Sequence, residues 1–297
     1  MLRISRRRRK RNVEDWIIDG VVYLFCLFVL FITIYPFWYI FVISFNVGTD
    51  ATRGGIYFLP RAFTLENYEN FFTDMKWIKG LGMTIARTVV GTLIGVLFTS
   101  LVAYGMSFKD LKNRKLYMTM ILISMYFSGG VIPYYTLLRE LHLIDSFAVY
   151  VIPGALNTFF ILVALSFFEG IPGSLRESAK IDGASELKIF RKIILPISKP
   201  FLATLVLFIG VGHWNNWYDS AFFIRNKELR TLSYLMMEVI NKSLVSASSA
   251  AHSSTTETTS LSLQAAAMMV ATLPIICIYP FLQKYFITGM MVGSVKE

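Results

Sequence analysis

Six stretches of this chain, roughly 17 to 44, 81 to 107, 115 to 138, 146 to 168, 201 to 223 and 261 to 286, are long and apolar. Each reaches the about 20 residues that an α-helix needs to cross the hydrocarbon of a bilayer. Few folds are open to such a chain, because in lipid each backbone amide must find its partner inside its own segment. The pattern predicts an all-α, polytopic membrane protein: a basic arm over 1–16, six transmembrane helices over 17–290 and a tail over 291–297. Composition agrees, since 55% hydrophobic and only 16% charged residues in a chain of 297 leave too little polar surface for a water-soluble fold. The first apolar run, Ile17 to Ile43, is too long for a signal-peptide core and lacks a small-residue cleavage site, so it is expected to stay as the first span. Gly129, Gly130 and Pro133 close the third span and predict a kink or a short re-entrant break.

Lysines and arginines near the spans set orientation. The net charge of +10 includes six cations in the run Arg6 to Arg11, immediately before the first span. On a membrane protein this run reads as a positive-inside signal rather than a nucleic-acid site. The loop after the second span carries Lys109, Lys112, Arg114 and Lys115, and the loop over 169–200 carries Arg176, Lys180, Lys188, Arg191, Lys192 and Lys199. These segments and both termini are expected on the cytoplasmic side. The loop over 224–260 is then outside, and its Ser/Thr-rich second half reads either as a connector or as a contact for an external partner. Cys26 and Cys277 lie in apolar spans and read as packing residues.

The one long charged segment between spans, Glu177 to Pro200, reads as two short helices. Ser174 and Glu177 have capping-box spacing, and Asp182-Gly183 is a plausible helix stop. Beyond it Leu187, Phe190, Ile193 and Ile194 form an apolar stripe opposite Glu186, Lys188, Arg191 and Lys192, until Pro196 and Pro200 are expected to end the pattern.

The run Glu177, Ser178, Ala179, Asp182, Gly183, Ala184, Phe190, Leu195, Pro196 and Pro200 resembles the EAA loop of binding-protein-dependent ABC importer permeases, with Ser178 standing where the motif name has alanine. Ile171, Pro172 and Leu175 before it resemble the carbohydrate branch, the maltose-type second permease. The stretches at 129 to 146 and 211 to 220 resemble the subgroup that serves complex, often acidic oligosaccharides such as pectin- and alginate-derived sugars. The resemblance implies the type I permease fold and a coupling helix seated on an ATP-binding subunit. It gives Glu177 a polar contact with that subunit, Ala179 and Ala184 a close-packed face and Gly183 the turn. It also implies a second, homologous permease, two ATP-binding subunits, an extracytoplasmic solute-binding protein and a place in the bacterial cytoplasmic (inner) membrane.

The chain has no GxxxxGK[ST] phosphate loop, so it is expected to be no enzyme and to bind no cofactor, with ATP and Mg on the partner subunit. His213 has no second ligand at metal spacing, so no metal is assigned. Two rival classes are an ion-coupled secondary sugar carrier and a non-transporting membrane scaffold. The carrier is disfavoured because no acidic residue lies in the middle of a span. Arg87, inside the second span, either snorkels to the interface or attracts an anionic sugar. Trp214, Asn215, Asn216, Trp217 and Tyr218, in the outer half of the fifth span, either belong to the interfacial aromatic belt or line the sugar pathway.

Overall fold

The computed structural model describes residues 13–248 and 259–294. Two compact units divide the chain, one of Met1–Glu69 with Ser253–Met269, the other of Asn70–His252 with Val270–Glu297. The arm before residue 13, the tail after 294 and the centre of the Ser/Thr-rich loop lie outside the described residues.

Among the described residues, three helices are long and apolar enough to cross a membrane alone: α1 (Val13–Ser44), α2 (Met75–Met106) and α11 (Ser260–Ser294), the last over Leu261–Phe281. Three bent pairs bring the number to six if each counts as one span. α3 (Arg114–Tyr126) and α4 (Val131–Glu140) meet at 119°; α5 (Thr158–Glu169) follows a 3-10 segment, Phe147–Ala155, at 44°. α7 (Glu186–Ile197) and α8 (Lys199–Asn215) meet at 85°, and α6 (Ser174–Ile181) precedes them.

The third segment breaks where Gly129, Gly130 and Pro133 predict a kink or short re-entrant break. Thirteen residues of α3 reach only about 20 Å, short of a bilayer core, before Gly130 takes φ +83° and the chain turns back. A continuous fifth span over 201–223 is corrected: α8 stops at Asn215, Asn216 is extended, and α9 (Tyr218–Phe223) starts afresh. The loop over 224–260 is not wholly irregular either. Leu232–Ser248 forms α10, whose first amide, that of Leu232, donates to Thr84 Oγ1 on α2 at 2.8 Å. Leu232 and Leu235 are buried beside Gly80, where an added Cβ would stand 2.6 Å from Leu235 Cδ1.

In the first unit, α1 is exposed over most of its length, and burial begins at Val42 and Ile43. Its polar centre is Asn67, fully buried, whose Nδ2 donates to the carbonyls of Ser44 and Asn46, each at 2.9 Å. In the second unit, α2 packs chiefly against α8 and α5. One apolar cluster gathers Ala103, Tyr104, Ala164, Phe168, Ala179, Ile189, Phe190 and Ile194 at one end of these helices. Another, at Leu138, Tyr150, Phe223 and Ile224, closes a different part.

Candidate functional site

The segment Glu177 to Pro200 folds into a helical hairpin whose turn follows from glycine. Gly183 has φ +75°, a conformation open to glycine at no steric cost. The Ala184 N–H donates to the Ala179 carbonyl and the Gly183 N–H to that of Lys180, both at 2.9 Å. This is the Schellman closure, which satisfies the orphan carbonyls of a helix end and brings two small residues together. The other end differs from the expected capping box: Gly173 is the N-cap and no side chain caps the helix, so Ser174 and Glu177 do not cross-satisfy amides. Nor does Pro196 end the second helix. Phe190–Ile194 is a π segment, and this wider turn accommodates a proline ring that would clash in a regular helix, so the helix runs on to Ile197.

The hairpin has two unlike faces. Ala179, Ile189, Phe190 and Ile194 are buried in the chain's own core, so the close-packed face of Ala179 turns toward its own helices. Glu177, Ser178, Asp182, Gly183 and Pro196 are exposed. With them are two apolar side chains, Ile181, 87% exposed, which sequence reasoning did not single out, and Leu187, 60% exposed, which leaves the apolar stripe expected of it. Charged residues Glu177, Asp182 and Lys188 are exposed on the same hairpin.

A carboxylate ties the hairpin together. Glu186 accepts from Arg176 Nη2 at 2.7 Å and Nε at 3.1 Å, lies 2.7 Å from Lys180 Nζ, and accepts from the Tyr104 hydroxyl at 3.1 Å. The Arg176 hydrogen bonds, against a partial opposition from burial, hold its carboxyl well below the usual range, at about 2.

At a second place in the same unit lies a polar cavity of about 290 Å³, bordered by Arg87, Tyr134, Asn157, His213, Asn216 and Asp219 among others. Arg87 does not snorkel: its side chain is 1% exposed and paired with Asp219 of α9, 132 residues on. Its Nη1 donates to the Asn216 carbonyl at 2.9 Å, and its guanidinium lies 4.6 Å from the Tyr150 ring centre. The break after α8 makes this possible, since a carbonyl released from helical bonding is free to accept. Asn216 Oδ1 meanwhile accepts from the Asp219 N–H at 3.2 Å and starts α9. His213 is buried with its ring against the bare backbone of Gly91, where an added Cβ would stand 2.6 Å from Cε1 and Nε2.

Of the expected pathway residues, the cavity brings together Arg87 and Asn216. Trp214 points elsewhere, donating from Nε1 to the Ala271 carbonyl at 3.0 Å and lining an apolar groove of about 650 Å³ between α2, α8 and α11. Asn215 and Trp217 are exposed, and Tyr218 packs on Phe222 at 4.5 Å. Sequence reasoning missed Asp219, Tyr134, Tyr150 and Asn157, because no spacing rule joins residues brought together by helix breaks. Among the described residues, no group of three or more His, Cys, Asp or Glu is placed to hold a metal.

Comparison with protein-family models gives no match. Individual relatives are informative. Protein LplC of Bacillus subtilis is 37% identical over 265 residues, 89% of this chain and 90% of LplC. The polygalacturonan/rhamnogalacturonan transport system permease protein YtcP of the same organism is 34% identical over 285 residues, 96% of this chain and all of YtcP. The chain belongs to the sugar ABC transporter permeases. Among solved structures, this permease resembles a chain of a bacterial ABC transporter involved in the import of the acidic polysaccharide alginate, with a TM-score of 0.83 and 27% identity. The match covers 94% of this permease and 99% of that chain.

Proposed function

We propose that this permease is one of two homologous membrane subunits of an ATP-driven importer in the bacterial cytoplasmic membrane. The importer takes up oligosaccharides handed over by an extracytoplasmic solute-binding protein. Two separate ATP-binding subunits hold ATP and Mg and carry out the hydrolysis; both termini and the hairpin face the cytoplasm with them. The observation that carries this reading is the outward face of the hairpin, where Ile181 and Leu187 stand exposed among Glu177, Ser178 and Asp182. An apolar pair in a charged rim is what a protein partner covers, and bare exposure to water has no benefit.

On this reading closure of the ATPase pair pushes the hairpin as a rigid body. Ala184, Phe190 and Pro196 belong to its support: Phe190 is 2% exposed and stacks 5.0 Å from Tyr104. The substrate class follows the relatives, of which YtcP is named for polygalacturonan and rhamnogalacturonan and the alginate permease for an acidic polysaccharide. Arg87 and Asn216 border the sugar path, with Tyr134, Asn157 and His213 offering polar atoms to sugar hydroxyls. Arg87 makes an indirect contribution, since Asp219 already neutralises it. That pairing also leaves no free carboxyl for ion coupling at this point. The test is ATPase stimulation of the reconstituted complex by binding protein loaded with oligogalacturonate, alginate fragments or neutral arabino-oligosaccharide. A rise with at least one loaded sugar is expected, and no response to any would sink the assignment.

A further inference from the structure

We infer that Glu186 is a positioning residue that latches the hairpin to α2, and that α2 is the rod carrying hairpin movement to the polar cavity. This rests on the hairpin reading above. Two routes lead from the hairpin to the cavity. The first follows the chain through α7 into α8, which carries His213, but it bends by 85° at Ser198. A bend of that size beside Pro196 and Pro200 can absorb a displacement before it reaches the cavity.

The second route has no break. α2 runs for 32 residues from Met75 to Met106, with Tyr104 at the hairpin end and Arg87 in the cavity wall. The 17 residues between them span about 25 Å of uninterrupted helix. α2 is uninterrupted where its neighbours α3–α4, α7–α8 and α8–α9 are broken.

The hairpin meets this rod through apolar packing, with Phe190 5.0 Å from the Tyr104 ring, and through a small set of polar contacts centred on one carboxylate. Arg176 and Lys180 from α6 and the Tyr104 hydroxyl from α2 all converge on Glu186 at the start of α7. The Arg176 guanidinium also lies 3.5 Å from the centre of the Phe108 ring, just beyond α2. Ala179 adds only a methyl group to the apolar seat between hairpin and core. Without Glu186 the hairpin keeps its outward face and its apolar seat, and loses both the hydrogen bond from Tyr104 on α2 and the ion pairs that hold α6 to α7. Charge-assisted bonds of this kind are short and directional, which suits a joint that must not slip.

The experiment uses the complete transporter, with both permeases, the ATPase subunits and the binding protein, in proteoliposomes, and measures ATP hydrolysed per sugar delivered. Glu186→Ala should still co-purify with the ATPase subunits while spending about tenfold more ATP per sugar, a coupling loss of ordinary allosteric size. Tyr104→Phe removes a single hydroxyl and should raise the ratio in the same direction by a smaller factor. The double variant should be no worse than Glu186→Ala alone, since both act through one contact. Ile181→Asp serves as the separate check on the docking face and should abolish co-purification. If Ile181→Asp dissociates the complex while Glu186→Ala and Tyr104→Phe keep the wild-type ratio, the latch is refuted and the docking reading stands. If Ile181→Asp leaves assembly intact, the docking reading itself fails and the latch with it. A fall in sugar and ATP turnover together at a constant ratio would also overturn the latch, because it indicates general loss of folding.

Discussion

Removing the Asp219 carboxylate should be among the most costly single changes in this chain. Among the described residues Arg87 has three supports: Asp219 at Nη2, the Asn216 carbonyl at 2.9 Å from Nη1 and the Tyr150 ring. Its Nε is buried with no hydrogen-bond partner. In Asp219→Ala the guanidinium stays 1% exposed in a membrane protein with the counter-charge of Asp219 gone. Breaking a buried pair from one side costs about 3 to 5 kcal/mol. Asp219→Asn keeps an acceptor but leaves the guanidinium without its counter-charge, so it should be milder than Asp219→Ala by about 1 kcal/mol, the worth of the retained hydrogen bond. The reverse deletion, Arg87→Met, is expected to be milder, because the Asp219 side chain is 22% exposed and can find water from the cavity. Denaturant melts of the detergent-purified complex, run on Asp219→Ala, Arg87→Met and the double variant, isolate the pair. A coupling energy of about 2 kcal/mol or more is expected, with the double variant more stable than Asp219→Ala. Additive effects, or an Asp219→Ala protein within about 0.5 kcal/mol of wild type, would refute the assignment of Arg87 as a buried, paired cation.

Three further changes test the remaining geometry. Gly91→Ala puts a methyl 2.6 Å from the His213 ring, an overpacking expected to cost about 1 to 3 kcal/mol; the same melts read it, and His213→Ala in the same chain should relieve most of it. At Gly183 an added Cβ meets nothing within 4 Å, yet φ is +75°, so Gly183→Val should cost about 1 to 2 kcal/mol through backbone strain alone and lower the sugar transported per ATP, while Gly183→Asn is tolerated. Glu186 has a depressed pKa, about 2, so its contribution is complete above its ordinary carboxylate range and is lost as pH falls through the folded value. ATP used per sugar should therefore be flat from about pH 5 to about pH 8; a rise across that window that vanishes in Glu186→Gln would contradict the bonding described for it.

The parts of this fold that were legible in the sequence are those that hydropathy reads directly. The first, second and sixth spans, expected over 17–44, 81–107 and 261–286, correspond to α1, α2 and α11. Of the other three, the third announced its break through Gly129, Gly130 and Pro133, while the fourth and fifth were legible only as apolar length, because a window average is blind to where a helix stops. The turn at Gly130 and the extended Asn216 change direction without changing hydropathy. At the hairpin, Gly183 announced its turn, but the π segment that carries the helix through Pro196 has no sequence signal of its own. Arg87 stood out as an intramembrane charge, whereas its partner Asp219 looked like an ordinary residue near a span end. Only the break at Asn216 turns it inward. Likewise Glu186 read as one more charge on the polar face of a helix, since its three donors come from Tyr104, Arg176 and Lys180 on two other helices.

The most direct measurement is uptake of a labelled oligosaccharide, delivered by its binding protein, into proteoliposomes of the two permeases with and without the ATPase subunits. Accumulation is predicted only when the ATPase subunits are present with ATP and Mg, and should be indifferent to imposed proton or sodium gradients. Accumulation by the permeases alone, driven by such a gradient, would contradict the account.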